Sequence, residues 1–247
     1  MGTIIAVTAA AGMGGTGLGG LAAYLFRRGT DRTVSVLLSF AAGMMLAVVC
    51  ADLLTDAIQA GPGLSALPAA SASVLAGCWG IWLLEELVSG LQAGAKRGGL
   101  FLAGVVMAAA IALHNLPEGM VIGASYAADL AEAGQDGRMM ALVIGLHNIP
   151  EGMAVAVPLA AGGASRGRAV LTTAAAGAPT VLGAVLGFCL GTMGPGLQML
   201  TLGGASGAML YVVFGELLPE SFRLCRSPAP VMAAVLGVLT GMGVVLG

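Results

Sequence analysis

Eight long apolar runs, separated only by short polar breaks, constrain this chain more than any other feature. They fall near residues 3–26, 34–57, 69–90, 100–127, 139–160, 168–192, 197–221 and 229–247. Runs of about 18–25 residues match a helix crossing a hydrocarbon core of ~30 Å, whereas a membrane strand needs only about 9–11. In lipid every backbone N–H and C=O must find its partner inside the protein, and a helix achieves this within one segment. Charged residues make up only 9% of the chain, and mean hydropathy is +0.97; a soluble domain carries roughly 25% charge. The 41 glycines suit helices that approach one another closely in lipid. The expected fold is all-α: a polytopic membrane protein with eight transmembrane helices, one transmembrane domain over residues 1–247.

The basic residues bear on the helix count independently. Arg27, Arg28, Arg32, Lys96, Arg97, Arg166, Arg168, Arg223 and Arg226 all fall in the first, third, fifth and seventh breaks, and only Arg138 falls in another. Nine against one is the positive-inside bias of an eight-helix chain with both termini outside the cytoplasm. No basic residue precedes the first run, which is long enough to span, so it does not read as a removable leader. Cys50, Cys78, Cys189 and Cys225 share no close spacing and read as small packing residues. With a net charge of −2 and short breaks, no basic patch for nucleic acid can form.

Chemistry enters in the fourth and fifth runs. His-Asn-Leu-Pro-Glu-Gly at 114–119 returns as His-Asn-Ile-Pro-Glu-Gly at 147–152, and its two histidines are the only ones in the chain. Each His stands four residues before a Glu, which sets both side chains on one helix face. Consecutive spans run in opposite directions, so the two copies meet antiparallel, near the middle of a ~30 Å core. Pro117 and Pro150 each remove a donor and release the carbonyl four residues earlier, at Leu113 and Leu146, kinking both helices beside the histidines. Gly119 and Gly152 allow the two helices to pack tightly.

A packing role alone fits this set poorly. Ionisable groups at the bilayer centre cost about 2.5–3.5 kcal/mol each on insertion scales, and here there are four. A proton relay uses the same residue types, but imidazole and carboxylate converging from two helices are metal ligands first. Glu118 and Glu151 supply two negative charges, which balance one divalent ion. Oxygen-only sites for Mg²⁺ or Ca²⁺ have no need of histidine. Zn²⁺ suits the set, and Fe²⁺, Mn²⁺, Co²⁺ and Cd²⁺ also accept it.

Other acids lie in or beside the runs. Asp52 and Asp56 stand toward the outer end of the second, Glu85 and Glu86 near the cytoplasmic end of the third, and Glu216 and Glu220 near that of the seventh. With the central site they mark an acidic route, for which Asp52, Glu216 and Glu220 are the strongest candidates; acids at helix ends are otherwise simply solvated. Met44 and Met45 read as packing residues rather than weak ligands.

The doubled hexapeptide resembles the signature of the ZIP (zinc/iron-permease) metal transporters, above all the bacterial branch. Phe-Ala-Ala-Gly-Met-Met-Leu at 40–46 and Gly-Ala-Met-Leu-Tyr-Val at 207–212, followed by Glu216-Leu-Leu-Pro-Glu220, extend the likeness over essentially the full length. The resemblance implies import of Zn²⁺, as the transported substrate, across the cell inner membrane by alternating access. It implies a 3+2+3 arrangement, with the first and last three spans as inverted repeats, and a homodimer in the lipid bilayer. His114, Glu118, His147 and Glu151 would then be the primary ligands, and Asn115 and Asn148 would face a second metal position. Many relatives carry a Glu before a Pro in the sixth span; here the pair is Ala178-Pro179, which leaves the second position short of a carboxylate. The break at 92–99 also lacks the His-rich run of many eukaryotic members.

Two other readings compete. An intramembrane zinc metalloprotease also uses ligands four apart, but it needs a Glu beside the first His, where Asn115 and Asn148 stand. The chain is therefore not expected to be an enzyme. A proton-coupled solute carrier is the other rival, and it predicts no metal-dependent stabilisation. Histidine binds metal only when neutral, so metal uptake should weaken as pH falls through about 6.5. Uptake by reconstituted vesicles from pH 8 to 5.5 would measure this, and a rate that rises on acidification would contradict it.

Overall fold

The computed structural model describes residues 1–25, 31–61, 66–132 and 136–246. Arg27 and Arg28, parts of the first, second and fourth breaks, and Gly247 lie outside them. The described chain is helical, with no strand among the described residues: α1 (Gly2–Ala9), α2 (Gly15–Leu25), α3 (Asp31–Val48), α4 (Leu54–Ala60), α5 (Ala66–Glu132), α6 (Asp136–Ala161), α7 (Arg166–Ala176), α8 (Pro179–Thr192), α9 (Pro195–Val212), α10 (Leu218–Leu224) and α11 (Pro228–Leu246). Among the described residues, the five-residue π-helical turns Ala10–Gly14, Val49–Leu53 and Val213–Leu217 join α1 to α2, α3 to α4 and α9 to α10.

Among the described residues, six helical stretches are long and apolar enough to cross a membrane: Gly2–Ala23, Asp31–Ala60, Ala66–Leu83, Gly137–Ala160, Arg166–Thr192 and Pro195–Leu224. A shorter apolar helix covers Pro228–Gly243. The surface is inverted relative to a soluble protein. Trp79, Leu75, Leu171 and Leu239 are exposed, while His114, Asn115, Glu118, His147, Asn148 and Glu151 are buried. Lipid as the surrounding solvent accounts for both.

The structure departs from the sequence reading at 92–99, where a break is expected but α5 stays helical throughout. That stretch holds no proline and includes Ala, Lys and Arg, all good helix formers. A straight rod of this length would reach about 100 Å, yet the two ends of α5 come back together. Ala70, Val74 and Gly77 pack on Gly203, Gly207 and Gly204, so the first part of α5 runs parallel to α9. Leu116, Met120 and Ala124 pack on Gly183, Gly187 and Gly191, so its last part runs parallel to α8. The α8–α9 pair reverses direction at Gly194, whose φ of 139° only glycine adopts readily. The two parts of α5 are therefore antiparallel.

The remaining contacts repeat this scheme. Gly15 and Gly19 seat α2 along α6 beside Asn148 and Gly152, and Gly237 and Gly241 seat α11 along α3 beside Phe40 and Met44. Each glycine lets one backbone close on another, as helices in lipid require.

An internal repeat underlies this pairing. Residues 43–56 return 164 positions later at 207–220, with Gly, Met, Leu, Val, Val, Leu and Leu identical and Asp52 and Asp56 matched by Glu216 and Glu220. The π turns Val49–Leu53 and Val213–Leu217 fall at the same place in the two copies. Thr-Ala-Ala-Ala-Gly at 8–12 likewise returns at 173–177, and Thr16-Gly-Leu-Gly19 as Thr180-Val-Leu-Gly183. The first copy holds one residue more between these blocks, and there the π turn Ala10–Gly14 absorbs it. In the second copy Pro179 starts a new helix after a turn at Gly177–Ala178.

A methyl at Gly207 would run into the Val74 carbonyl. Gly207→Ala should therefore cost about 1–3 kcal/mol, the usual range for overpacking. Thermal melting in detergent would read it, and a Tm equal to wild type would show that α5 and α9 are not closely packed there.

Candidate metal centre

The second hexapeptide lies inside α6 and the first inside the last part of α5, and the fold sets them against each other. Glu118, His147 and Glu151 each offer a ligand atom, and these atoms all lie within 4.8 Å of one another. All three residues are buried, and the His147 Nε2–H donates to Glu118 Oε1 at 3.0 Å. Glu118 Oε2 and both oxygens of Glu151 meet no donor. Buried oxygens without a partner cost about 1–3 kcal/mol each, more when charged. A divalent cation between them removes that cost, and it also offsets the repulsion of two adjacent carboxylates.

His114 is not among the three. Its Nε2–H donates instead to Glu216 Oε1 at 2.9 Å, in the π turn Val213–Leu217. The sequence reading sets Glu216 on a route; the structure sets it against a histidine of the repeat. The wider π turn re-aims the side chains around it, which α-helical spacing alone does not anticipate.

The two asparagines differ. Asn115 donates to the carbonyls of Ile111 at 2.9 Å and Ala176 at 3.3 Å, and its Oδ1 accepts from Asn148 Nδ2 at 3.3 Å and Thr180 Oγ1 at 2.8 Å. Every polar atom of its amide is thus engaged. Asn148 also donates to the Ala11 carbonyl at 3.3 Å, and its Oδ1 is buried without a donor. The two amides tie the repeated Thr-Ala-Ala-Ala-Gly blocks to the two hexapeptides. The carbonyls of Thr180 and Thr16 close on Gly119 and Gly152 in the same way. Thr180, which the sequence reading passes over, is detectable only through its repeat partner Thr16.

A cavity of about 300 Å³ leads away from His114. Glu216, Pro219, Glu220 and Arg223 line it, with Met107 and Ile111 opposite. Ser35, Ser39 and Ser221, all fully buried, share hydrogen bonds of 2.6–3.0 Å that fasten α10 to α3 beside this cavity. Asp52 lies in the π turn Val49–Leu53 and is half-buried, as is Asp56. Met44 and Met45 are core residues of α3, and Glu86 is exposed; the Glu85 side chain lies outside the described residues. The four cysteines are free.

This geometry fits a divalent cation, and occupancy of the three-residue cluster would have a measurable signature. A divalent metal at a hundredfold excess over Kd should stabilise the protein by about 2.7 kcal/mol. Glu118→Gln combined with Glu151→Gln should abolish that gain and raise the metal-free Tm, because neutral amides relieve two neighbouring buried charges. A metal-induced rise in Tm that persists in the double variant would locate the ion elsewhere.

Comparison with known proteins agrees with this chemistry. The family model described as ZIP Zinc transporter matches residues 92–247. The chain is 32% identical over 261 residues to "Zinc transporter ZupT" of Chlorobium limicola, covering 97% of this chain and 94% of the relative. It is 35% identical over 252 residues to "Zinc transporter ZIPB" of Bordetella bronchiseptica, covering 96% and 77%. A third relative, "Zinc transporter ZupT" of Corynebacterium efficiens, is 31% identical over 248 residues, covering 93% and 90%. The chain belongs to the ZIP zinc transporter family.

Proposed function

We propose that this protein imports a divalent transition metal, zinc before Fe²⁺, Mn²⁺ or Cd²⁺, across the cell inner membrane by alternating access. The observation that carries the reading is the buried Glu118–His147–Glu151 cluster with its donorless carboxylate oxygens. Relatives named as zinc transporters and a ligand set of nitrogen and carboxylate oxygen both favour zinc. A site without thiolate binds such an ion at moderate strength, which suits an ion in transit.

His114 completes the ligand set as the fourth primary ligand, passing the ion between the cluster and Glu216. Glu216 and Glu220 carry it onward through the cavity, and Asp52 serves the opposite side. A second ion would draw on Asn148 Oδ1, because Asn115 is engaged throughout. The sixth-span turn brings no acid to that position, since it holds Ala178 and Pro179. One principal ion is thus the reading best supported.

Eight spans in a 3+2+3 arrangement, with both termini outside the cytoplasm, are part of the same proposal. The parallel pairing of α2 with α6, α8 with α5, α9 with α5 and α11 with α3 supports it, because alternating spans must pair in this way. The 164-residue repeat supports inverted halves. A homodimer in the bilayer accords with the family.

Zinc uptake into proteoliposomes tests the assignment. The combined substitution His147→Ala and Glu151→Ala should lower uptake by at least about tenfold, the ratio that 1.4 kcal/mol produces. Uptake at the wild-type rate would show that the ion does not pass this cluster.

A further inference from the structure

A second groove, of about 360 Å³, lies between the first apolar run and α6 and shares no lining residue with the cavity at His114. Small residues make its floor. Ala11 and Ala141 are buried, and a Cβ on Gly145 would stand 3.2 Å from the Ala11 Cα. Its rim is apolar and exposed, at Leu18, Leu142 and Leu146. Among the described lining residues only Arg138 is charged, and it is exposed.

The dimensions of the groove match half a bilayer. Arg138 stands just before the apolar run 139–160, at the level where a membrane meets water. From Arg138 the lining continues along α6 to Ile149, which is about 16 Å of helix. One leaflet of a ~30 Å hydrocarbon core has about that depth. The groove therefore has a cation at headgroup level and an apolar trough one leaflet deep below it.

Charge then selects among lipids. The trough takes an acyl chain of any lipid, because burial of apolar surface is non-directional. A guanidinium is selective, since its planar fork matches phosphate and its charge favours an anionic headgroup over a zwitterionic one. The other nine basic residues of the chain lie in other breaks, so Arg138 is the one basic residue at this level.

We propose that this groove is a binding site for one anionic phospholipid. Its phosphate pairs with the Arg138 guanidinium, and an acyl chain lies along α6 from Leu142 to Ile149. The occupant touches the helix of the buried cluster, because Leu146 and Ile149 flank His147 and Asn148. The inference needs the membrane-spanning fold, but neither the identity of the metal nor the direction of transport.

Thermal melting of the full chain in detergent, titrated with phosphatidylglycerol or with phosphatidylcholine of equal chain length, tests it. Phosphatidylglycerol should raise Tm at the lower concentration, and inorganic phosphate should not raise it. Arg138→Gln should increase the phosphatidylglycerol concentration needed for half the effect about fivefold, the ratio one basic residue supplies at a membrane surface. It should leave the phosphatidylcholine response unchanged, and Arg138→Lys should keep most of the preference. Ala10 is exposed and lines the groove, so Ala10→Phe should fill it from the lipid side and weaken the response to both lipids. The proposal is overturned if the two lipids act alike on wild type, or if either Arg138→Gln or Ala10→Phe titrates as wild type. Stabilisation by inorganic phosphate alone would overturn it too. So would a change of oligomeric mass in Ala10→Phe, which would give the groove to a second copy of the chain.

Discussion

Two carboxylates buried within ligand reach of each other set the terms for the rest of this structure. Glu118 and Glu151 are both 0% exposed, and three of their four oxygens meet no donor. In a low-dielectric interior such a pair repels and lacks the hydration that would offset it. Only a cation or a proton makes it tolerable. Much of the surrounding packing keeps the two helices close enough to hold the pair together. Gly119 and Gly152, expected to let the two helices pack on each other, instead admit the backbones of Thr180 and Thr16, and the asparagine beside each histidine fastens each helix to its flanking block.

This dependence explains which residues carry chemistry and which carry structure. Asn115 stands next to a histidine in the motif and invites a ligand role. Its four hydrogen bonds instead make it the joint between the first hexapeptide, the second and the sixth-span turn. Asn148 has the same neighbours in sequence but keeps one oxygen without a donor. Asn148 and Thr180 both donate to Asn115 Oδ1, whereas Thr16, the repeat partner of Thr180, donates to the Gly12 carbonyl.

Much of the helical fold and the burial of the repeated His and Glu residues were legible in the sequence because their causes are local. Apolar run length and the four-residue His-to-Glu spacing act within one segment. The division of ligands was not legible. Helical periodicity treats His114 and His147 alike, and nothing in either run shows that a π turn elsewhere carries Glu216 to one of them. The polar stretch 92–99 lies between the two antiparallel parts of α5 without ending the helix, because polarity marks a boundary in lipid without itself unwinding the backbone. The 164-residue repeat was visible in principle, through the Asp52–Glu216 and Asp56–Glu220 match. One extra residue between the first Thr-Ala-Ala-Ala-Gly block and Thr16 shifts the register, and only the π turn there reveals why.

The repeat also shows where the asymmetry of the site originates. The two hexapeptides differ only at Leu116 and Ile149, yet His147 donates to Glu118 while His114 donates to Glu216. Identical motifs with unlike partners cannot owe the difference to their own residues. It arises from how the helix pair carrying them sits against the repeated acids, with Glu216 of the second copy reaching His114. The buried carboxylates of the hexapeptide pair therefore lie in a setting that is two-fold in sequence and one-sided in contact. That is the condition under which one set of ligands can face a cavity on one side only, with Glu216 as its first acid beyond the histidines.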